Sequence, residues 1–99
     1  AMCPRFHCDN LPVRMVTTYF GPGSEWLPEH AINREGLGAP HPERPDIATD
    51  TSAIQRLSPG DIALIKGSGW VGCEERGLVH RSPALENGCK RLLMSINPA

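Results

Sequence analysis

The chain is expected to fold as a single all-β domain, a small barrel or sandwich of about six strands. Three observations carry that expectation. Ninety-nine residues, 39% of them hydrophobic, supply one modest core rather than two. The apolar stretches run to only about six to eight residues each. Ten glycines and ten prolines punctuate them, which favours short strands joined by turns over long amphipathic helices.

Val13 to Phe20 (Val-Arg-Met-Val-Thr-Thr-Tyr-Phe) is rich in β-branched and aromatic residues and is stopped by Gly21-Pro22-Gly23, so it reads as a strand. Alternation places Val13, Met15, Thr17 and Tyr19 on one of its faces. A short segment, Ser24 to Leu27, follows and is closed by Pro28, and Glu29 to Arg34 is expected to form one or two helical turns before Gly36 and Gly38. From Leu37 to Thr51 there is little apolar periodicity, and Pro40, Pro42 and Pro45 stiffen the path; this reads as a loop or lid. Ala53 to Leu57 and Asp61 to Lys66, joined by Ser58-Pro59-Gly60, read as a hairpin. The Gly-rich connection Gly67 to Gly72 carries Trp70, and Gly77 to His80 and Arg91 to Ile96 supply the last two strands.

A formal net charge of −1 and no clustered Lys/Arg patch give no electrostatic footprint for nucleic acid or an anionic membrane, and neither partner is expected. No apolar run reaches the length that spans a bilayer, and the start Ala-Met-Cys-Pro-Arg lacks the apolar stretch of a signal peptide. Cys3, Cys8, Cys73 and Cys89 show no C-x-x-C pair, so reduced thiols in a cytoplasm are expected. His7 comes almost at once, with no strand before it. The 99 residues are therefore expected to be the C-terminal part of a longer protein, lacking an N-terminal segment of the domain.

The chemistry is read from His7-Cys8-Asp9, an H-x-D triplet answered far downstream by His80. In an extended chain, side chains at i and i+2 point the same way, so a strand end can aim His7 and Asp9 at one ion while Cys8 faces elsewhere. His80 supplies the third ligand from another strand. Two imidazoles and a carboxylate fix one face of a divalent iron and leave other positions open. An H-x-acid triplet alone arises by chance roughly 0.4 times in a chain of this composition, so it is the added His80 and Arg91 that give the pattern weight.

The order H-x-D, distal His, then Arg resembles the double-stranded β-helix oxygenases that use Fe(II) and 2-oxoglutarate, a cupin or jelly-roll-like fold. In that superfamily a basic residue shortly after the distal His, at the start of the final strand, grips the far carboxylate of the cosubstrate. Arg91, eleven residues after His80 and opening Arg-Leu-Leu-Met-Ser-Ile, matches that position. A planar guanidinium binds a carboxylate through two parallel hydrogen bonds. Leu-Ser-Pro-Gly-Asp-Ile-Ala-Leu resembles the turn and strand that precede the distal His in such folds. The resemblance implies Fe(II) on His7, Asp9 and His80, 2-oxoglutarate on Arg91 with Tyr19 and Ser95 beside it, and hydroxylation of a small-molecule or protein substrate. The pattern departs at Leu93, where many members carry serine; Ser95 lies two residues later.

A second resemblance covers nearly all of the chain. The phrases Tyr-Phe-Gly-Pro-Gly-Ser-Glu-Trp-Leu-Pro, Lys-Gly-Ser-Gly-Trp and Val-His-Arg-Ser-Pro resemble an uncharacterised bacterial domain family of unknown function, some members of which are associated with zinc-responsive gene neighbourhoods.

Competing readings stay open. A non-catalytic Zn(II)-binding or sensing domain would use the same residues, with or without a tetrahedral set drawn from Cys3, His7, Cys8 and Cys73 or Cys89. A scaffold that kept the fold without the chemistry would have His7 and Asp9 joined in a turn, His80 as a satisfied core histidine and Arg91 paired with a surface acid. His41-Pro42-Glu43 repeats the triplet in a Pro-rich loop unsuited to a preformed site, and His30 reads as surface. Arg14, Tyr19 and Trp26 are candidates to line a pocket.

Overall fold

A computed structural model of the chain describes residues 5–39, 41–85 and 91–97. Among them are seven strands, β1 (His7–Cys8), β2 (Val13–Phe20), β3 (Glu25–Trp26), β4 (Gln55–Arg56), β5 (Ile62–Lys66), β6 (Val79–Arg81) and β7 (Leu92–Ile96), with three single 3-10 turns and no α-helix. They form two antiparallel sheets, one in the order β1-β6-β3-β4 and the other β5-β2-β7. The all-β expectation holds. Among the described residues no helix is long and apolar enough to cross a membrane.

The longest strand is the one the sequence marked most strongly. β2 runs over Val13–Phe20 and is the centre of the three-stranded sheet. Its registers, Arg14 opposite Ile65 and Val16 opposite Ala63 and Ser95, put Arg14, Val16 and Ile65 on the face turned towards the first sheet. Val16 and Ile65 are buried there. Met15, Thr17 and Tyr19 lie on the opposite face beside Ile62 and Leu64, both 70% exposed.

The predicted hairpin does not form. Ser58-Pro59-Gly60 does turn the chain, with the Asp61 amide donating to the Ser58 carbonyl and Gly60 at φ 89°. The arms then go to different sheets: β4 pairs with β3, and β5 pairs with β2. The turn thus carries the chain from one layer to the other.

The main apolar core lies on the side of the four-stranded sheet away from β2. Phe6, Leu27 and Val79 project from that sheet and meet Ala31 and Ile47 from the long connection between β3 and β4. This connection carries 3-10 turns at Glu29–Ala31, Arg34–Gly36 and Thr51–Ala53. Asn33 and Asp50 cap the last two by accepting from the Glu35 and Ser52 amides. Ile32 bridges Ala48, with Asn33 N–H donating to the Ile47 carbonyl and Thr49 N–H to that of Ala31. The segment read as a loop or lid is irregular and mostly exposed among its described residues, but Ile47 is buried in the core, and Leu37 and Ala48 pack against it.

On the same face, Glu25 sits between two arginines. Its carboxylate accepts from Arg81 Nε and Arg56 Nη2, each at 2.7 Å, and Arg81 also stacks on the Phe6 ring at 4.1 Å. Glu25 is only 8% exposed. Burial pushes its carboxyl pKa up, but the two guanidinium partners outweigh this and hold it below the ordinary value. A depressed folded-state pKa gives stability that is full above the unfolded value, about 4.3, and is lost as pH falls through the folded one. Glu25→Gln should cost about 1.5–3 kcal/mol at neutral pH and flatten the loss of stability below about pH 4.3. Urea denaturation of both proteins at pH 7 and pH 3 measures the difference.

Candidate metal centre

β1 and β6 are adjacent antiparallel strands, and His7 stands directly opposite His80. Both rings therefore leave the same face of the sheet, with centroids 4.5 Å apart and planes tilted by 55°. Trp26 is opposite His80 on the other side and shares this face. Asp9 follows β1 immediately and brings its carboxylate under both rings: Asp9 Oδ1 is 3.5 Å from His7 Nε2 and 3.5 Å from His80 Nε2. One ligand atom from each residue falls within 4.8 Å of the other two. The three residues picked out in the sequence converge.

The ring orientations are set by backbone carbonyls. His7 Nδ1–H donates to the Arg5 carbonyl at 2.8 Å and His80 Nδ1–H to the Leu78 carbonyl at 3.0 Å. With the ring proton on Nδ1, each Nε2 carries a lone pair towards Asp9. At His80 the assignment has independent support, because Arg14 Nη2, which can only donate, lies 3.1 Å from Nε2. Three lone-pair atoms thus face one another, and the nearby positive charge is Arg14, whose Nη2 is also 3.1 Å from Asp9 Oδ2. That approach is close but poorly aimed: Asp9 Oδ2 and Arg14 Nε are both buried without a hydrogen-bond partner among the described residues. Burial pushes the Asp9 carboxyl pKa up, but an imidazole that takes a proton on Nε2 donates to this carboxylate, and Arg14 attracts it, so the group is held well below the usual carboxylate range.

The loop bearing Asp9 is clamped from behind by the Gly-Ser-Gly-Trp segment. Ser68 donates its amide (2.8 Å) and hydroxyl (3.2 Å) to the Asp9 carbonyl, while Gly67 N–H donates to Pro12 and Gly69 N–H to Leu11. Gly67 is packed so closely that a Cβ there would lie 2.2 Å from the Leu11 oxygen and 2.5 Å from that of Asp9. Nothing in the sequence alone tied this phrase to the ligand loop.

Cys8 alternates to the core side of the sheet, opposite Val79. Its thiol lies where a Cβ on Gly77 would come within 2.2 Å of it, and burial raises its pKa, which disfavours the thiolate. Cys8 and Cys73 are free thiols. Cys3 and Cys89 lie outside the described residues. His41 accepts from the Glu43 amide in an exposed turn, and His30 is exposed, as expected of a surface residue.

Among the described residues, the triad borders an open cleft and a smaller pocket. His7, with Asn10, Arg34 and Glu35, lines an open cleft of about 790 Å³. His80, with Ser24, Trp26, Ala63 and Ile65, lines a smaller pocket of about 230 Å³ between the sheets. Arg91 reaches the wall of this pocket. It donates from Nη2 to the Ser24 hydroxyl at 2.6 Å, from Nη1 to the Ser82 hydroxyl at 3.3 Å and from Nε to the Pro22 carbonyl at 2.8 Å. Tyr19 is on the outer face of its sheet, 59% exposed, with its hydroxyl donating to Met94 Sδ, so alternation separates it from Arg14 and the triad. Ser95 shares the inward face through its pairing with Val16 but is exposed.

A family model described as "Protein of unknown function (DUF1826)" matches residues 1–97. The chain belongs to this family. No curated protein and no solved structure matched it. Membership in DUF1826 carries no link to the oxygenase superfamily, so the chemistry must be argued from the site itself.

Proposed function

We propose that this DUF1826 chain is a metal-dependent protein whose mononuclear centre is built by His7, Asp9 and His80, on a sheet pair of the double-stranded β-helix kind, and that it works as an Fe(II)/2-oxoglutarate-type oxygenase. The convergence of two imidazole Nε2 atoms and one ionised carboxylate carries the reading. The donors are nitrogen and oxygen, a set that suits Fe(II), and the half-buried thiol nearest to them in sequence points to the opposite face. The two backbone carbonyls that orient the imidazoles are the outer-shell support a metal-ligating histidine needs.

Bound Fe(II) would supply a Lewis-acidic site for an oxo-acid and for dioxygen. The chain itself would orient the substrates and keep water away. Ser24, Trp26 and Ile65 give the interior pocket its shape beside His80, and Arg91, joined to Ser24, offers a guanidinium to the far carboxylate of 2-oxoglutarate. The open cleft on the His7 side would admit the group to be oxidised.

Anaerobic addition of Fe(II) and then 2-oxoglutarate to the protein should produce a visible charge-transfer band. Arg91→Gln should weaken the 2-oxoglutarate dependence of that band at least about tenfold while leaving Fe(II) binding in place. A colourless protein that binds Zn(II) tightly, indifferent to 2-oxoglutarate, would instead mark a non-catalytic zinc-binding or sensing domain built on the same three ligands, with stability tied to metal.

A further inference from the structure

Arg14 reaches from β2 in the second sheet to a site built on the first, and its contacts there are unequal. Towards His80 it donates to Nε2 at 3.1 Å, the same lone pair that a metal ion would take. Towards Asp9 it faces Oδ2 at 3.1 Å, while Oδ1 is the oxygen turned to both histidines. One of its contacts therefore competes with a metal and the other does not. A guanidinium cannot give up its charge, so a second cation entering the triad must displace it from the imidazole or lie beside it at a Coulombic cost.

We propose that Arg14 is a positioning residue of the metal centre, an internal cation that holds the three ligands together without metal, releases His80 Nε2 when metal enters, and keeps Asp9 Oδ2 so that Asp9 ligates through one oxygen. The proposal rests on the metal-centre reading given above. Two consequences follow for the chain's own residues. Metal affinity is held down, because entry breaks a charge-assisted contact and places two cations near one carboxylate. A carboxylate held at one oxygen also leaves more of the ion's coordination sphere open than one that chelates through both.

Removal of a side chain that merely packs, or that ligates, weakens metal binding; removal of a competitor strengthens it. The probe is Co(II) alone, titrated anaerobically into the whole chain and followed by visible absorption, for the unaltered protein, Arg14→Met, Arg14→Lys and His7→Ala. Arg14→Met should bind Co(II) about tenfold or more tightly than the unaltered protein. Its metal-free form should melt lower and recover on Co(II) addition, and Arg14→Lys, which keeps the charge, should restore the melting temperature towards the original. Equal or weaker Co(II) binding by Arg14→Met, with the unaltered protein binding and His7→Ala not binding, would overturn the role of Arg14 and leave the metal centre standing. No Co(II) binding by any of the four would remove both. Should Arg14→Met not fold, Zn(II) added to ¹⁵N-labelled unaltered protein gives the answer: the Arg14 Nε–H resonance should move on saturation, and an unmoved resonance would overturn the proposal.

Discussion

His7→Ala is expected to weaken divalent-metal binding by at least about a hundredfold, since even partners in the outer shell of such sites are worth about 10- to 100-fold in affinity. His7 is the most informative of the three ligands to remove. Its side chain is 31% exposed and lies beside a cleft, so its loss opens no sealed cavity, and the metal-free melting temperature should move by only a few degrees. His80 differs, being 3% exposed and an acceptor for Arg14. Its removal leaves a buried guanidinium contact unmet and confounds ligation with folding. Asp9→Ala sits between these cases, because it deletes a ligand and also the ionised partner of Arg14. Calorimetric titration of His7→Ala and the unaltered protein with Fe(II) or Zn(II), alongside thermal melts without metal, separates the two effects. Equal affinity in both proteins would remove His7 from the ligand set.

Gly67→Ala is expected to damage the site without touching any ligand. A methyl there would meet two backbone oxygens, those of Leu11 and Asp9, at 2.2 and 2.5 Å, and backbone cannot swing aside as a flexible side chain can. The loop must shift instead. Overpacking of this kind costs about 1–3 kcal/mol, which in a domain of this size lowers the melting temperature by roughly 4–8 °C per kcal/mol. Displacement of the Asp9 carbonyl also strains its two hydrogen bonds from Ser68, so the carboxylate loses its fixed approach to the histidines. Metal affinity should fall tenfold or more in protein that is still folded. Circular dichroism and metal titration of Gly67→Ala at a temperature well below its melting point test this. A variant that melts normally and binds metal normally would show that the Gly-Ser-Gly-Trp segment does not position the ligand loop.

How much of this could be read from the chain depends on the range of the interaction involved. β2 was legible because β-branched residues at period two, closed by Gly21-Pro22-Gly23, are a local signal, and its bounds are those expected. The Ser58-Pro59-Gly60 reversal was legible for the same reason. Its consequence was not, since turn chemistry specifies that a chain reverses and leaves open which strand each arm will pair with. Leu37 to Thr51 read as a loop, and the burial of Ile47 within it had no signal, because an isolated apolar residue follows no period.

The triad itself was legible through alternation. His7 and Asp9 two residues apart point alike, and cross-strand pairing with His80 completes the set. The same alternation separates Arg14 from Tyr19 on β2, and weighing that period above the general preference of aromatics for pockets would have kept the first and set aside the second. Asp9's contact with Arg14 had no sequence signal, for it joins two sheets.

The central claim is that two imidazoles and one carboxylate oxygen bind a single ion. X-ray absorption at the metal edge of the reconstituted protein, loaded with one equivalent of Fe(II) or Zn(II) and desalted, tests it most directly. The spectrum should contain imidazole scattering from two histidines and nitrogen or oxygen ligands at about 2.0–2.2 Å, with no sulfur at about 2.3 Å. A sulfur shell, or fewer than two imidazoles, would contradict the account.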